Sequence, residues 1–561
     1  MARPPAETSG FGVGLGPEPV HWARRSPSRE TERRRWVLQG GGWPLPVVRG
    51  LVMAGLAVSS LAAQESRGTR SEPGELAQAL STRYRFVERY ASTEDRARPE
   101  ILTQYRVGVR EVYRIAREQP QAAPQRDETT LQSIYTERIA RVERGVVTDL
   151  VRRYDRVNLK TTLPLRPFKD RWLEGLTIWY RIRPNLNPEV LCLTPDRRLR
   201  QQEYERIIQQ VVLPQLTTLF PANPIRVGDR WTLPRVAVRA LLGPGLLVED
   251  DQVQAELLEV RKTTGESLVA IFRVQGEVGS LEGPSALNAE LDFAFVPAAA
   301  DPAPNRVKPA ARPAEGVLEA RGFVQKLRLA QVNNVAAAVS EGRLKQTVTR
   351  ELVLERRPAD QAGGAGQTPP LEVPNPPPVP TEANSWLTYD DPQARFHFRH
   401  PQTLQVVRLY PDGGVDLLDR RPDGQDVVQL SLVPKTADSS RDRLASDPLQ
   451  YKKMLMEQWK QQGEQVQMGT SGWLPEAEWA PRNRRVYRIE AALKPAAADG
   501  AVSPSGRIYL DSYLVQFTRN ETMKVTALTT QEPHIEFRNQ AESIIKSFEF
   551  GPSDASAADA P

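Results

Sequence analysis

The sequence predicts an α+β protein: a curved antiparallel β half-barrel around a helix, a Pro-rich linker, and then a smaller α/β/α sandwich with an antiparallel sheet. Apolar and polar residues alternate with a period of two along many segments, which is typical of half-buried strands. Three segments, near residues 205, 455 and 543, have the helical period instead. A Pro-rich stretch separates two segments that are each long enough to bury a core.

Residues 1–63 predict an export leader. Three arginines, residues 33–35, precede an uncharged apolar run at 50–63 that ends in small residues. The run is too short to span a bilayer but has the length of a signal-peptide core. We therefore expect a periplasmic or extracellular protein, cleaved after Ala62 or Ala63 by the general secretory or the twin-arginine route. A buried helix or an uncleaved anchor is the alternative, and no other segment predicts a transmembrane helix.

Residues 78–357 predict the half-barrel domain. Their strand-like segments alternate between one apolar and one polar face. The apolar residues expected on the inner face are Tyr84, Phe86, Tyr105, Val107 and Val109. Further strands are expected at 132–142, 146–159, 176–183, 189–194, 252–261, 267–276, 286–296, 316–339 and 343–356.

The helix inside this domain is expected to open at Pro195-Asp196 and to break near Pro214. Its apolar stripe comprises Tyr204, Ile207, Ile208, Val211 and Val212. The stripe predicts that the helix packs on the concave face of the sheet.

The segment 224–231, Pro-Ile-Arg-Val-Gly-Asp-Arg-Trp, follows the helix. Gly228-Asp229 predicts a turn and Trp231 a packed start of the next strand. This segment resembles a short motif of uncharacterised secreted bacterial proteins whose half-barrel is related to the LolA/LppX lipoprotein-carrier fold. The resemblance implies a fold and carries no catalytic residue.

Residues 358–384 contain eight prolines and predict an extended linker with no apolar periodicity for docking. Residues 385–550 predict the second domain. Asp447 and Pro448 predict the start of a helix that Gly463 ends. The tail, residues 551–561, is expected to be disordered.

The second domain resembles the PsbP-like superfamily. The matching features are an aromatic strand that runs into Pro401, the helix after Asp447, a late hairpin and an amphipathic closing helix at 537–548. The resemblance implies an α/β/α sandwich whose relatives bind proteins or serve as envelope lipoproteins, and it brings no catalytic set.

The charge distribution does not favour nucleic-acid binding. The chain carries a net charge of +6, but residues 1–63 hold eight Arg and four Glu, which leaves only +2 for the remainder. Nucleic-acid domains concentrate positive charge more strongly than this. Arginines do lie along two early strands: Arg106, Arg110, Arg114 and Arg117 on one and Arg138, Arg141 and Arg144 on the other. They could form a surface for an anionic envelope or an acidic partner. We expect instead a solvated face that interleaved acids such as Glu88, Glu111, Glu137 and Glu143 neutralise.

No segment carries a recognisable catalytic, cofactor-binding or metal-binding motif. His397 and His400 are three residues apart on a strand, so they are expected on opposite faces, where they cannot share one ion. Cys192 lies between two leucines and is expected to pack as an apolar residue. The string at 469–472 lacks the spacing of a nucleophile elbow.

The sequence therefore predicts a non-enzymatic envelope module without a cofactor, whose partner is an apolar ligand or an envelope protein. An extracytoplasmic hydrolase built from carboxylates is the alternative, because the chain has 69 acidic residues. The inner face of the half-barrel distinguishes the two: a carrier needs an apolar cavity of roughly 300–1,000 Å³. Ligand, partner and oligomeric state are left open.

Overall fold

The computed structural model describes nineteen stretches of the chain. They are residues 82–88, 104–118, 124–143, 146–162, 173–183, 188–243, 251–263, 267–280, 283–297, 317–339, 342–359, 370–409, 414–420, 426–433, 447–461, 465–494, 508–517, 522–530 and 534–551. The predicted leader, residues 1–63, lies outside them, as does the predicted tail after Gly551.

The described residues fall into two compact units. The larger unit takes its residues from Gly42–Gln405, Arg420–Gly424 and Ser543–Pro561, and the smaller one from Val406–Asp419 and Gln425–Glu542. Residues 385–405, which the sequence analysis grouped with the second domain, thus lie in the larger unit.

Strands account for most of the described chain. In chain order they are β1 (Arg83–Glu88), β2 (Gln104–Glu118), β3 (Gln125–Glu143), β4 (Val146–Thr161), β5 (Thr177–Arg181), β6 (Glu189–Cys192), β7 (Leu199–Arg200), β8 (Arg230–Thr232), β9 (Asp251–Lys262), β10 (Leu268–Ser280), β11 (Gly283–Pro297), β12 (Val317–Val339), β13 (Gly342–Pro358), β14 (Trp386–Asp390), β15 (Phe396–Pro401), β16 (Leu404–Leu409), β17 (Val415–Asp419), β18 (Val427–Val433), β19 (Gln465–Trp473), β20 (Arg484–Lys494), β21 (Ile508–Phe517), β22 (Thr522–Thr529) and β23 (Glu549–Phe550).

The helices are few and short. They are α1 (Gln201–Gln209), α2 (Arg235–Leu242), α3 (Glu382–Ser385), α4 (Pro448–Gln461), α5 (Glu476–Trp479) and α6 (His534–Ser547), with 3₁₀ helices η1 (Leu213–Leu219) and η2 (Ala480–Arg482). Within the described residues, none of the helices is long and apolar enough to cross a membrane.

The larger unit is built on a twelve-stranded sheet. Its hydrogen-bonded order is β6-β5-β4-β3-β2-β13-β12-β11-β10-β9-β8, with neighbours antiparallel, and β1 adds to β12 in parallel. One face of this sheet, which we call the inner face, packs against α1, η1 and α2 and buries the main hydrophobic core. The strands predicted between 132 and 356 are confirmed by β3–β6 and β9–β13.

The predicted fold class is wrong. The protein is not α+β with a half-barrel around a helix and a smaller sandwich; it is mostly β, and its principal element is the twelve-stranded antiparallel sheet. The central helix was overestimated because Asp196 takes a left-handed turn and α1 begins only at Gln201. After nine residues the backbone becomes extended at Gln210, so Val211 and Val212 continue the apolar stripe without continuing the helix.

A second sheet of the larger unit joins distant parts of the chain in the order β23-β15-β14-β7. β14 pairs in parallel with β7 through Leu387 and Leu199, and β15 pairs antiparallel with β23. The rings of Phe396 and Phe548 stack at 5.2 Å between centroids. This small sheet therefore ties residues near 390 and near 550 to the larger unit.

Part of the Pro-rich segment lies against the twelve-stranded sheet. Leu371 is buried with Val151 and Trp179. Its carbonyl oxygen accepts a hydrogen bond of 2.8 Å from Arg138, and its backbone N–H donates one of 3.0 Å to Gln104. The sequence analysis expected no docking because the segment lacks apolar periodicity, yet Leu371 docks on the sheet.

The smaller unit contains a seven-stranded antiparallel sheet, ordered β16-β17-β18-β22-β21-β20-β19. Tyr451, Leu455 and Trp459 of α4 pack on one face of it. Asp447 accepts hydrogen bonds from the backbone N–H groups of Leu449 and Gln450, so the predicted helix start is confirmed.

Candidate functional site

The inner face of the twelve-stranded sheet carries buried charged residues amid its apolar core. We call this cluster the polar core; it comprises Glu88, Glu111, Glu137, Arg152, Arg206, Arg350 and Arg356. The pleat of the strands explains the placement. Glu111 has the same parity as Val107 and Val109, and Glu137 that of Tyr135, so their side chains project to the inner face.

Glu137 and Arg152 form an ion pair with no solvent exposure, at 0% for both side chains. Arg152 donates to Glu137 Oε2 from Nη2 at 2.8 Å and from Nε at 3.2 Å. Its Nη1 donates to Gln210 Oε1 at 3.0 Å, and its guanidinium lies 4.2 Å from the centroid of the Tyr135 ring. Because Gln210 follows α1, the pair links β3 and β4 to the end of this helix.

Glu111 is held by two arginines from different elements. It accepts hydrogen bonds from Arg350 of β13 at 2.7 Å, from Arg206 of α1, and from the Tyr113 hydroxyl at 2.6 Å. Burial alone would raise the pKa of Glu111, but the two guanidinium groups outweigh burial and lower it to about 2. Arg350 also donates to the carbonyl oxygen of Leu242 at 2.9 Å, which attaches the end of α2 to the sheet.

The third buried pair joins Arg356 of β13 to Glu88 of β1. Arg356 also stacks on the Tyr105 ring at 3.8 Å from its centroid. The three pairs share one arrangement: each glutamate is bound by at least one arginine. Such pairs fix the relative position of strands and helices, whereas a general acid needs a carboxyl group whose pKa is raised.

The apolar part of the inner face is filled by side chains of the protein itself. The Phe86 ring lies 4.9 Å from that of Phe272 and 5.6 Å from that of Phe220, which follows η1. The predicted inner-face residues Tyr84, Phe86, Tyr105, Val107 and Val109 are all buried there, which confirms their placement. Tyr204, Ile208 and Val211 are buried in the same core.

A small cavity lies where the polar core meets the helices. Its volume is about 10 Å³, which is room for about one water molecule. Tyr135 and Gln210 line it together with Glu111 and Arg350. It is far smaller than the roughly 300–1,000 Å³ that a small-molecule ligand occupies.

The sequence analysis assigned Glu88, Glu111 and Glu137 to the charged outer face, and this was wrong because all three are buried inside. Strand parity was the signal that could have found them. Of the predicted acids only Glu143 lies on an exposed face, where it pairs with Arg141 at 2.6 Å. Arg114 pairs instead with Glu128 at 2.9 Å and with Glu351 at 2.6 Å, which the sequence analysis did not name.

The histidines of β15 and Cys192 lie where the sequence predicts. His397 and His400 lie on opposite faces of β15, as predicted: His397 is partly exposed, and His400 is buried. Cys192 is buried in the apolar core, also as predicted, and burial raises the pKa of its thiol. Over the part of the chain that the structure describes, no three His, Cys, Asp or Glu side chains are grouped to hold a metal ion.

No protein-family model and no curated protein matches the chain. Among solved structures, lipovitellin is similar over 47% of this chain and 26% of its own, at 9% identity and a TM-score of 0.25. A LolA superfamily protein from Nitrosomonas europaea matches over 51% of this chain and 90% of its own, at 11% identity and a TM-score of 0.10. The attachment protein Ail of Yersinia pestis matches over 46% and 100%, at 5% identity and 0.09. Similarities this low assign neither fold nor function, and the PsbP-like resemblance stays a prediction.

Proposed function

We propose that the chain is an exported, non-enzymatic interaction module of the bacterial envelope that binds a protein partner. The observation that carries the proposal is the filled inner face of the twelve-stranded sheet. Residues of α1, η1 and α2 occupy the side on which a carrier would hold its ligand. In the part of the chain that the structure describes, the cavity beside the polar core has a volume of about 10 Å³ and no room for an acyl chain.

Within the polar core, the described carboxyl groups do not suit the hydrolase alternative. A carboxylate-based hydrolase uses one carboxyl group as a general acid, which requires a raised pKa. In the polar core the pKa of Glu111 is instead lowered to about 2, because Arg206 and Arg350 outweigh burial. Glu137 is fully buried against Arg152, where a substrate has no access.

Solvent extraction of the purified full chain followed by lipid mass spectrometry tests the carrier alternative. We expect no lipid at stoichiometric amounts, because α1, η1 and α2 occupy the inner face. One equivalent of a defined lipid per chain would overturn the interaction-module proposal in favour of a carrier.

The surface proposed for the partner is the outer face of the twelve-stranded sheet. Its exposed side chains alternate in charge, as in the Arg328–Glu290 pair at 2.6 Å, and such surfaces favour a protein of complementary mixed charge. A photo-reactive residue in place of the exposed Gln132 should give a defined cross-linked species in envelope preparations. The matched control is the exposed Lys453 of α4, and equal cross-linking at both positions would contradict the proposal.

Export rests on the leader at residues 1–63, with its basic flank, apolar run and small-residue end. N-terminal sequencing of the protein from an envelope or culture fraction should start at Ala63 or Gln64. A full-length product confined to the cytosol would overturn this part of the proposal.

A further inference from the structure

We propose that the cavity between β2, β3, β13 and the end of α1 binds one internal water molecule, which joins the Glu111 and Glu137 ion pairs into a single network. The site is built from polar groups on opposite sides. Glu111 and Arg350 form one ion pair, and Gln210 accepts a hydrogen bond from Arg152 of the other.

Gln210 supplies a donor that is fixed in orientation. Its Oε1 accepts hydrogen bonds from Arg152 at 3.0 Å and from the Tyr154 hydroxyl at 2.8 Å. Two donors on one atom identify it as the oxygen, so Nε2 carries the two N–H groups. Among the described residues, Nε2 has no hydrogen-bond partner, although the side chain is buried and lines the cavity.

Tyr135 supplies the second group. Its ring is held under the Arg152 guanidinium, and its side chain, at 0% exposure, lines the cavity. Its hydroxyl likewise has no hydrogen-bond partner within the described part of the chain. A buried donor without a partner is costly, so two such groups beside one cavity favour an occupant that satisfies both.

Glu111 supplies the acceptor that the water needs. Its carboxylate accepts three hydrogen bonds from protein groups, and a carboxylate has about four acceptor positions. A water molecule can therefore accept from Gln210 Nε2, exchange a hydrogen bond with the Tyr135 hydroxyl and donate to Glu111. This gives the two to four partners that buried waters have, and the cavity volume admits one molecule.

The test compares the unaltered chain with two variants on β2. Val109→Ile places an added methyl group at the cavity, which Val109 lines, and Val107→Ile adds the same group to a buried neighbour on the same face that does not line it. A crystal structure that shows ordered water, together with oxygen-17 relaxation dispersion of water in solution, measures occupancy. We expect the water in the unaltered chain and in Val107→Ile, and its loss in Val109→Ile.

The proposal is overturned if the unaltered chain shows no density peak between Tyr135 and Gln210, or if those groups bond directly to protein atoms. It is also overturned if relaxation dispersion detects no long-lived water in the unaltered chain, or if Val109→Ile does not remove that water. If either variant fails to fold, the density in the unaltered chain decides alone.

Discussion

At the scale of the residue, Glu137 and Arg152 illustrate how a buried charge depends on its partner. Neither side chain contacts solvent, so each is stabilised by the other and by neighbouring polar groups. Removal of one partner leaves an uncompensated charge in a medium of low dielectric constant, which is far worse than removal of both.

We therefore expect Glu137→Gln to destabilise the protein by about 3–5 kcal/mol, measured by urea unfolding. The control is Glu143→Gln on the same strand, since Glu143 pairs with Arg141 at side-chain exposures of 51% and 56%. That exposed pair should contribute no more than about 1 kcal/mol. Similar losses in both variants would contradict a special role for the buried pair.

His400 makes stability depend on pH. Burial, followed by the nearby Arg420 charge, lowers its pKa to about 3 from the ordinary 6.5, so the folded protein holds it neutral. Because the unfolded chain takes up the proton first, the contribution of His400 is fully present above pH 6.5. It is lost as the pH falls from 6.5 towards 3, by roughly 1.4 kcal/mol per pH unit.

His400→Leu should accordingly unfold with a shallower dependence on pH between 6.5 and 4 than the unaltered chain, as measured by urea unfolding across that range. His397→Leu, on the opposite face of β15, is the matched control. Parallel pH profiles for the unaltered chain and His400→Leu would show that His400 is not the group responsible.

Residue burial on the strands was predictable from parity, and the placement of Tyr105, Val107 and Val109 followed from it. The same rule also places Glu111 inside, but average burial preferences say that glutamate is exposed. The preference fails here because Arg206 and Arg350 come from α1 and β13, and no sequence pattern shows that they meet Glu111.

At the scale of the element, Gly322 lies where the backbone of β12 comes unusually close to that of its paired neighbour β11. A Cβ at this position would overlap the carbonyl oxygen of Ala294 and lie 2.7 Å from the Cα of Phe295. Both obstacles include backbone atoms, which cannot rotate away. The register between β11 and β12 shifts nearby, between Asp292 and Phe293, so the close approach belongs to an irregularity of the sheet.

Gly322→Ala should therefore destabilise the protein by about 3 kcal/mol, because the added methyl group forces the two strands apart. Gly108→Ala on β2 is the control, since no heavy atom lies within 4 Å of a Cβ built there. We expect a change within about 0.5 kcal/mol for it. Thermal unfolding of both variants measures the difference, and an unaffected Gly322→Ala would refute the close approach.

The elements divide into those that the sequence specifies locally and those that depend on tertiary contacts. Strands β9 to β13 follow from the alternation of apolar and polar residues, and they were predicted. The start of α4 follows from its capping residue Asp447, and it was predicted as well. The length of α1 was not predicted, since the apolar stripe continues through Val212 although the helix ends at Gln209. The α2 segment, Arg235–Leu242, was missed as well, because its eight residues are too short for a periodic signal.

At the scale of the whole molecule, the larger unit is assembled from segments far apart in sequence. Leu387 of β14 is buried in the same core as the inner face of the twelve-stranded sheet. The side chain of Gln402 accepts a hydrogen bond of 3.1 Å from the backbone N–H of Val190 on the edge strand β6. Arg420 donates to Glu205 of α1 at 3.2 Å. Proline content marks the segment before residue 385 as extended, but it says nothing about these later contacts.

A fragment covering residues 78–384 should therefore be less stable than the full chain, although it ends where the predicted linker ends. It lacks β14, which pairs with β7, and it lacks β15 and β23, which extend the same sheet. It also exposes the apolar surface that Leu387 covers. We expect a lower midpoint of thermal unfolding, restored in part when a separate 385–561 fragment is added, because that fragment carries the missing strands. The same 385–561 fragment with Leu387→Asp is the matched control and should restore less. An isolated 78–384 fragment that unfolds at the midpoint of the full chain would show that the larger unit is complete without its C-terminal strands.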